Sequence, residues 1–124
     1  MIDFSNGSVF KLQAADVSPI WDQITPLLVE GEAGIAGFKG IRDWVVMTNK
    51  RIIALNVQGI TGKKRDFTSL PYSKIQAFSV ETAGTLDLDS ELELWFSGLG
   101  KVRLEFKGKV DIKTIGQTIA SFVL

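Results

Sequence analysis

Apolar residues first recur with helical spacing: Ile20, Trp21, Ile24, Leu27 and Leu28 fall at i, i+1, i+4, i+7 and i+8, along one face of a helix. Ser18 and Pro19 suit the N-cap and the first helical position, because a serine oxygen can accept a bond from a free first-turn amide and proline has no amide to leave unpaired. Pro26 opposes continuation by clashing with the carbonyl of Asp22 and removing a backbone bond, so a kink or break is predicted there, with Gly31 as terminator.

From Gly34 the period becomes strand-like and the connections short and glycine-marked. The pattern predicts seven strands, at about 34–40, 43–47, 51–57, 64–69, 75–81, 91–96 and 102–106, with Thr48-Asn49-Lys50 as one of the turns. Leu92, Leu94 and Phe96 alternate with polar or aromatic neighbours, and Val102, Leu104 and Phe106 alternate with charged ones, so these are half-buried antiparallel strands joined at Ser97-Gly98-Leu99-Gly100. Glu91 and Glu93 then face a strand rich in Lys and Arg, which predicts cross-strand ion pairs of little energetic weight. A last periodic segment, Ile112, Ile115, Ile119 and Phe122, predicts one amphipathic helix with Asp111 as N-cap. The expected architecture is mainly β: a small antiparallel barrel (32–108) closed by a C-terminal helix (109–124) and preceded by a helical segment (1–31), all in one domain.

Several strands are apolar on both sides. Trp44 to Met47 and Arg51 to Val57 carry apolar residues on both faces, Ile75 and Ala77 lie opposite Phe78 and Val80, and Trp95 opposes Leu94 and Phe96. A small barrel buries one side of each strand, so the other side must meet a helix, a partner or a second copy. Two outcomes follow: the N-terminal segment with Trp21 covers these residues, or the chain self-associates with Trp95, Phe78 and Phe38 as anchors. Self-association is the expectation.

Composition narrows the chemistry. The chain has 124 residues with neither cysteine nor histidine, which excludes disulfides, zinc centres built on those ligands, and nucleophile–histidine catalysis. Lys plus Arg equals Asp plus Glu at 14 each, which gives no electrostatic footprint for nucleic acid. No apolar stretch reaches the roughly 20 residues that span a bilayer, and the opening residues lack the basic and apolar regions of a secretory signal. The expected location is cytoplasmic, with no metal, cofactor or catalytic residue.

Three further features invite functional readings. Lys63, Lys64 and Arg65 form the one compact basic cluster, an anionic-lipid contact in its functional reading and a solvated turn in its structural one. Gly31, Gly34, Gly37 and Gly40 lack the Lys-Ser/Thr of a phosphate loop and are expected to relieve crowding at a bent strand. The acids Glu81, Asp87, Asp89, Glu91 and Glu93 lack the ligand order of a calcium loop and any neighbouring base.

The stretch from Trp44 to Lys64 and that from Leu70 to Thr82 resemble the bacterial pleckstrin-homology domain family, matching its "Thr-Asn-x-Arg", "Gly-x-x-Gly-x-Lys" and "Ile/Leu-Pro-Tyr-x-x-Ile" patterns through Thr48, Asn49, Arg51, Gly59, Gly62, Lys64, Pro71, Tyr72 and Ile75. The resemblance covers about residues 30 to 124, and the leading helical segment is similar to that of stand-alone members once classed as a domain of unknown function. It implies a pleckstrin-like fold, no catalysis and homo-oligomerisation, a ring being one form such an assembly can take. In physical terms these residues read as structural. Asn49 suits a left-handed turn position, Arg51 lays its stem along the barrel with its guanidinium at the rim, and Pro71 keeps Leu70 extended. The function expected is that of a non-enzymatic interaction module that self-assembles, with peripheral binding of anionic lipid as the alternative.

Overall fold

The computed structural model describes residues 1–4 and 10–124. Among these residues one eight-stranded sheet, in the order β5-β4-β3-β2-β1-β8-β7-β6, wraps around the main core. Seven strands coincide with the alternating segments: β2 (Gly34–Lys39), β3 (Trp44–Thr48), β4 (Arg51–Gln58), β5 (Lys64–Pro71), β6 (Ile75–Glu81), β7 (Ser90–Phe96) and β8 (Gly100–Phe106). The eighth, β1 (Phe10–Ala14), falls within the stretch expected to be helical. Its first half pairs in parallel with β8, Leu12 opposite Phe106, and its end pairs antiparallel with β2, Ala14 opposite Phe38. β1 thus splices two antiparallel meanders, β2–β5 and β6–β8, into one sheet. The edge strands β5 and β6 are consecutive in sequence and are joined by a single 3-10 turn, Tyr72–Lys74.

The C-terminal helix α2 (Ile112–Val123) packs on β6, β7 and that turn, burying Ile112, Ile115 and Ile119 in the main core. Asp111 caps it: the Thr114 amide donates to Oδ1 at 3.2 Å and the Thr114 hydroxyl to Oδ2 at 2.8 Å. Those bonds hold the Asp111 carboxyl below its ordinary pKa.

The N-terminal helical stretch is broken, as its prolines require. A 3-10 turn (Ser18–Ile20), one turn of α-helix α1 (Trp21–Ile24) and a second 3-10 turn (Thr25–Leu27) follow one another, with Pro26 inside the last. Ser18 is not the N-cap. Asp16 accepts both the Ser18 amide (2.9 Å) and the Ser18 hydroxyl (2.6 Å), so the carboxylate takes the role expected of the serine. The chain is already extended at Leu28, three residues before Gly31.

This broken stretch lies across the outer face of β3 and β4. Ile20 and Ile24 form a second core with Trp44, Val46, Ile53 and Leu55, and Trp21, Val57 and Phe67 pack around it. Two glycines of β2 serve this layer. A Cβ at Gly37 would lie 2.0 Å from the Val17 side chain, and one at Gly34 would lie 3.0 Å from the Trp21 ring. The crowding they relieve comes from the covering segment, beside a shift in the β2–β3 register between Gly34 and Ala36.

Candidate functional site

Two surfaces gather the residues that the sequence singles out. The first is the outer face of β6, β7 and β8. The register sets Trp95 opposite Ala77 on one side and Lys101 on the other. Trp95 is 48 % exposed, and Ala77, Ser79, Lys101 and Arg103 around it are exposed as well. Ala77, Ser79, Trp95 and Lys101 line a shallow depression of about 330 Å³. The charged residues of this face pair diagonally: Lys101 with Glu93 at 3.5 Å, and Arg103 with Glu91. Directly across the ladder Glu91 meets Glu105. A hydrogen bond with Asp89, followed by burial, raises the Glu105 pKa. Of the acids considered for a metal, Asp89 and Glu91 come together here, both beside Glu105. Among the described residues no group of three or more His, Cys, Asp or Glu is placed to hold a metal ion.

Of the three expected anchors, Trp95 alone stands on this face. Phe38 is 5 % exposed and meets Phe106 edge-on in the main core, with ring centroids 5.0 Å apart. Its alternation within Gly34–Lys39 is masked by the two glycines, so its inward direction is hard to read from the strand itself. Phe78 is half-buried and packs against the same core. It lies on the inner side of β6, opposite in direction to Ala77.

The second surface is the pole where β3 turns into β4. Arg51 makes a two-pronged pair with Glu32, Nε to Oε2 and Nη2 to Oε1, both at 2.9 Å. It also donates to the Leu27 carbonyl and, through Nη1, to the Ser69 hydroxyl at 3.0 Å. Glu32 further accepts the Thr48 hydroxyl at 2.6 Å and the Val29 amide at 3.1 Å, and its side chain has no exposed surface. Burial works to raise the Glu32 pKa, but the bonds from Arg51, Thr48 and Val29 and the Arg51 charge outweigh it and hold the group low. Arg51 therefore ties the covering segment to the sheet, a role beyond that of a rim cation.

Asn49 works beside it, though not through a left-handed backbone, since no described non-glycine residue has positive φ. Its amide side chain does the work instead: Oδ1 accepts the Ala33 amide at 2.8 Å and Nδ2 donates to the Gly31 carbonyl at 3.0 Å. Pro71 ends edge strand β5 opposite Arg51. Tyr72, the next residue, is 1 % exposed and stacks on Phe122 of α2, with centroids 5.2 Å apart and planes 10° apart. Four motif residues, Asn49, Arg51, Pro71 and Tyr72, thus line one groove of about 500 Å³. Glu32 carries no periodic or motif signal. Its one legible trait is an acid placed just before the first predicted strand.

The basic cluster is divided. Arg65 donates to Gln23 Oε1 at 2.7 Å and to the Gly62 carbonyl at 3.2 Å, while Lys63 and Lys64 are exposed. Gly59 and Gly62 shape this β4–β5 turn with φ of 76° and 67°, values that side chains rarely adopt. No helix among the described residues is long and apolar enough to cross a membrane.

Comparison with known proteins agrees with this geometry. The model of the bacterial PH domain family matches residues 3–123. The uncharacterized protein YjqA of Bacillus subtilis (strain 168) is 42 % identical over 120 residues, covering 95 % of this chain and 96 % of its own. A crystal structure of a DUF1696 family protein with a pleckstrin-homology domain from Shewanella loihica PV-4 superposes with a TM-score of 0.80 at 39 % identity, covering 93 % of this chain and 99 % of its own. The pleckstrin homology domain from Shewanella amazonensis SB2B, also 39 % identical, gives 0.67 over 95 % and 94 %. With the sheet order, the capping helix and the Asn49, Arg51, Pro71 and Tyr72 pole in place, this chain belongs to the bacterial PH domain family.

Proposed function

We propose that the chain is a non-catalytic interaction module that associates with copies of itself through the outer face of β6–β8. One observation carries this reading. Trp95 stands 48 % exposed on a sheet face that no covering segment among the described residues crosses, while the apolar outer residues of β3 and β4 are buried by one. A half-exposed tryptophan flanked by a small residue and rimmed by charge has the composition of an interface centre. The rim pairs, Glu93 with Lys101 and Glu91 with Arg103, are exposed enough to add specificity and little affinity. The alternative of anionic-lipid binding has less to stand on, because Arg65 is engaged by Gln23 and Gly62.

The test is the solution mass by light scattering at low and at high salt, for the wild type and for Trp95→Glu. Apolar association gives a multiple of 13.6 kDa that persists in high salt and falls toward one chain in the variant. A wild-type monomer at both salt concentrations overturns the reading.

A further inference from the structure

The groove at the β3–β4 pole holds a donor without an acceptor. The Tyr72 hydroxyl is buried and has no hydrogen-bond partner. Burial first, then the nearby Glu32 charge, push its pKa up, so it remains protonated and keeps an O–H to donate. Glu32 does not take that proton's bond, because each of its oxygens already accepts two donors. An unpaired buried hydroxyl carries a free-energy cost, and in a native structure it calls for a partner.

The other groups around the groove share this bias. Ser69 already accepts from Arg51, so its own O–H is left to donate. Lys50 and Ser73 are exposed at the rim, and Lys50 has no ion pair among the described residues. Arg51 neutralises Glu32, which leaves Lys50 as the net charge of the groove. Beside Asn49, whose amide is engaged by Ala33 and Gly31, the remaining walls are apolar: Val29 at 58 % exposure, Pro71, and Phe122 at 38 %. A volume of about 500 Å³ lies within the range of small-molecule sites.

We propose that this groove binds a small amphiphile bearing one carboxylate, which accepts from the Tyr72 hydroxyl and Lys50 while its apolar body lies on Val29 and Phe122. Phe122 stacks on the Tyr72 ring from the last turn of α2, and the proposal requires it to move aside for the carboxylate to reach the hydroxyl. The site is independent of the Trp95 face and takes nothing from self-association.

Titration calorimetry with sodium octanoate below its micellar range tests this, with 1-octanol and octylammonium as head-group controls. Octanoate is expected to bind saturably at one per chain, and either control much more weakly. Tyr72→Phe keeps the ring stack and removes only the hydroxyl. It should leave the melting temperature at or above that of the wild type while weakening octanoate by about fivefold or more, the equivalent of one hydrogen bond. Lys50→Glu should weaken it as well, and Trp95→Ser should leave it unmoved. Absence of saturable octanoate binding, equal binding of octylammonium, or unchanged affinity in both Tyr72→Phe and Lys50→Glu overturns the proposal.

Discussion

On the outer side of β3 and β4, Trp44, Val46, Ile53 and Leu55 lie buried beneath Ile20 and Ile24, whereas on the outer side of β6–β8 Trp95 remains 48 % exposed. Both regions belong to one sheet and share the same inner core. They differ in how much apolar area they present outward and in what holds a cover down. The first offers four large side chains, two glycines that let the cover approach, and the Glu32–Arg51 pair that pins its end. The second offers one tryptophan among small and charged residues. A second layer forms within a chain when the outward apolar area offsets the entropy of ordering a covering segment. A single tryptophan falls short of that, and Trp95 stays exposed, the position our proposal of self-association assigns to an interface.

The largest effects should come from breaking the covered side. Ile24→Ala empties a fully buried position and should cost about 3 kcal/mol by urea unfolding. Arg51→Ala leaves the enclosed Glu32 carboxylate unpaired and should cost about 2–3 kcal/mol, given that Arg51 itself is partly exposed. If either variant unfolds like wild type, the covering layer is not the structural element described.

Acid separates the two sides further. Glu32 is held below its ordinary pKa, so its stabilisation is complete above the usual glutamate range and is lost as pH falls through the lowered value. Glu105, on the bare side, is raised, so the penalty it carries at neutral pH is relieved as pH falls through its higher value. Chemical denaturation as a function of pH should therefore steepen toward acid in wild type and flatten in Glu32→Gln.

Smaller changes in stability, with larger changes in mass, are expected on the bare side. Trp95→Glu should keep monomer stability within about 0.5 kcal/mol of wild type, while light scattering records loss of assembly. A stability loss like that of Ile24→Ala would erase the distinction between the two faces. Arg103→Ser removes only an exposed pair with Glu91 and should shift unfolding by less than about 1 kcal/mol.

The same contrast explains what could be read in the sequence. Two-sided apolarity in Trp44–Thr48 and Arg51–Gln58 announces a second layer, and Ile20, Ile24 and Trp21 supply a stripe of the right period to form it. Strands flanked by glycine turns and the Asp111-capped helix are local patterns, and they are legible for that reason. β1 is not, because its partner in parallel pairing lies some ninety residues on and no turn joins them. The Glu32–Arg51 pair joins residues 19 apart through no repeating pattern. Asn49 was legible as a turn residue, but its work is done by a side chain reaching back to Gly31 and Ala33, which backbone preference does not predict. Phe38 looks available in a list of aromatics, and only its direction in the pleat sends it inward against Phe106.

The splice made by β1 also sets an order of events during synthesis. β2 to β5 form an antiparallel meander of neighbouring strands that can zip as soon as each emerges. Phe10 to Leu12 must wait for Leu104 to Phe106, which are synthesised some ninety residues later. Until then the growing protein carries an open sheet edge beside β2, and the arrival of β8 against β1 is the step that retires it.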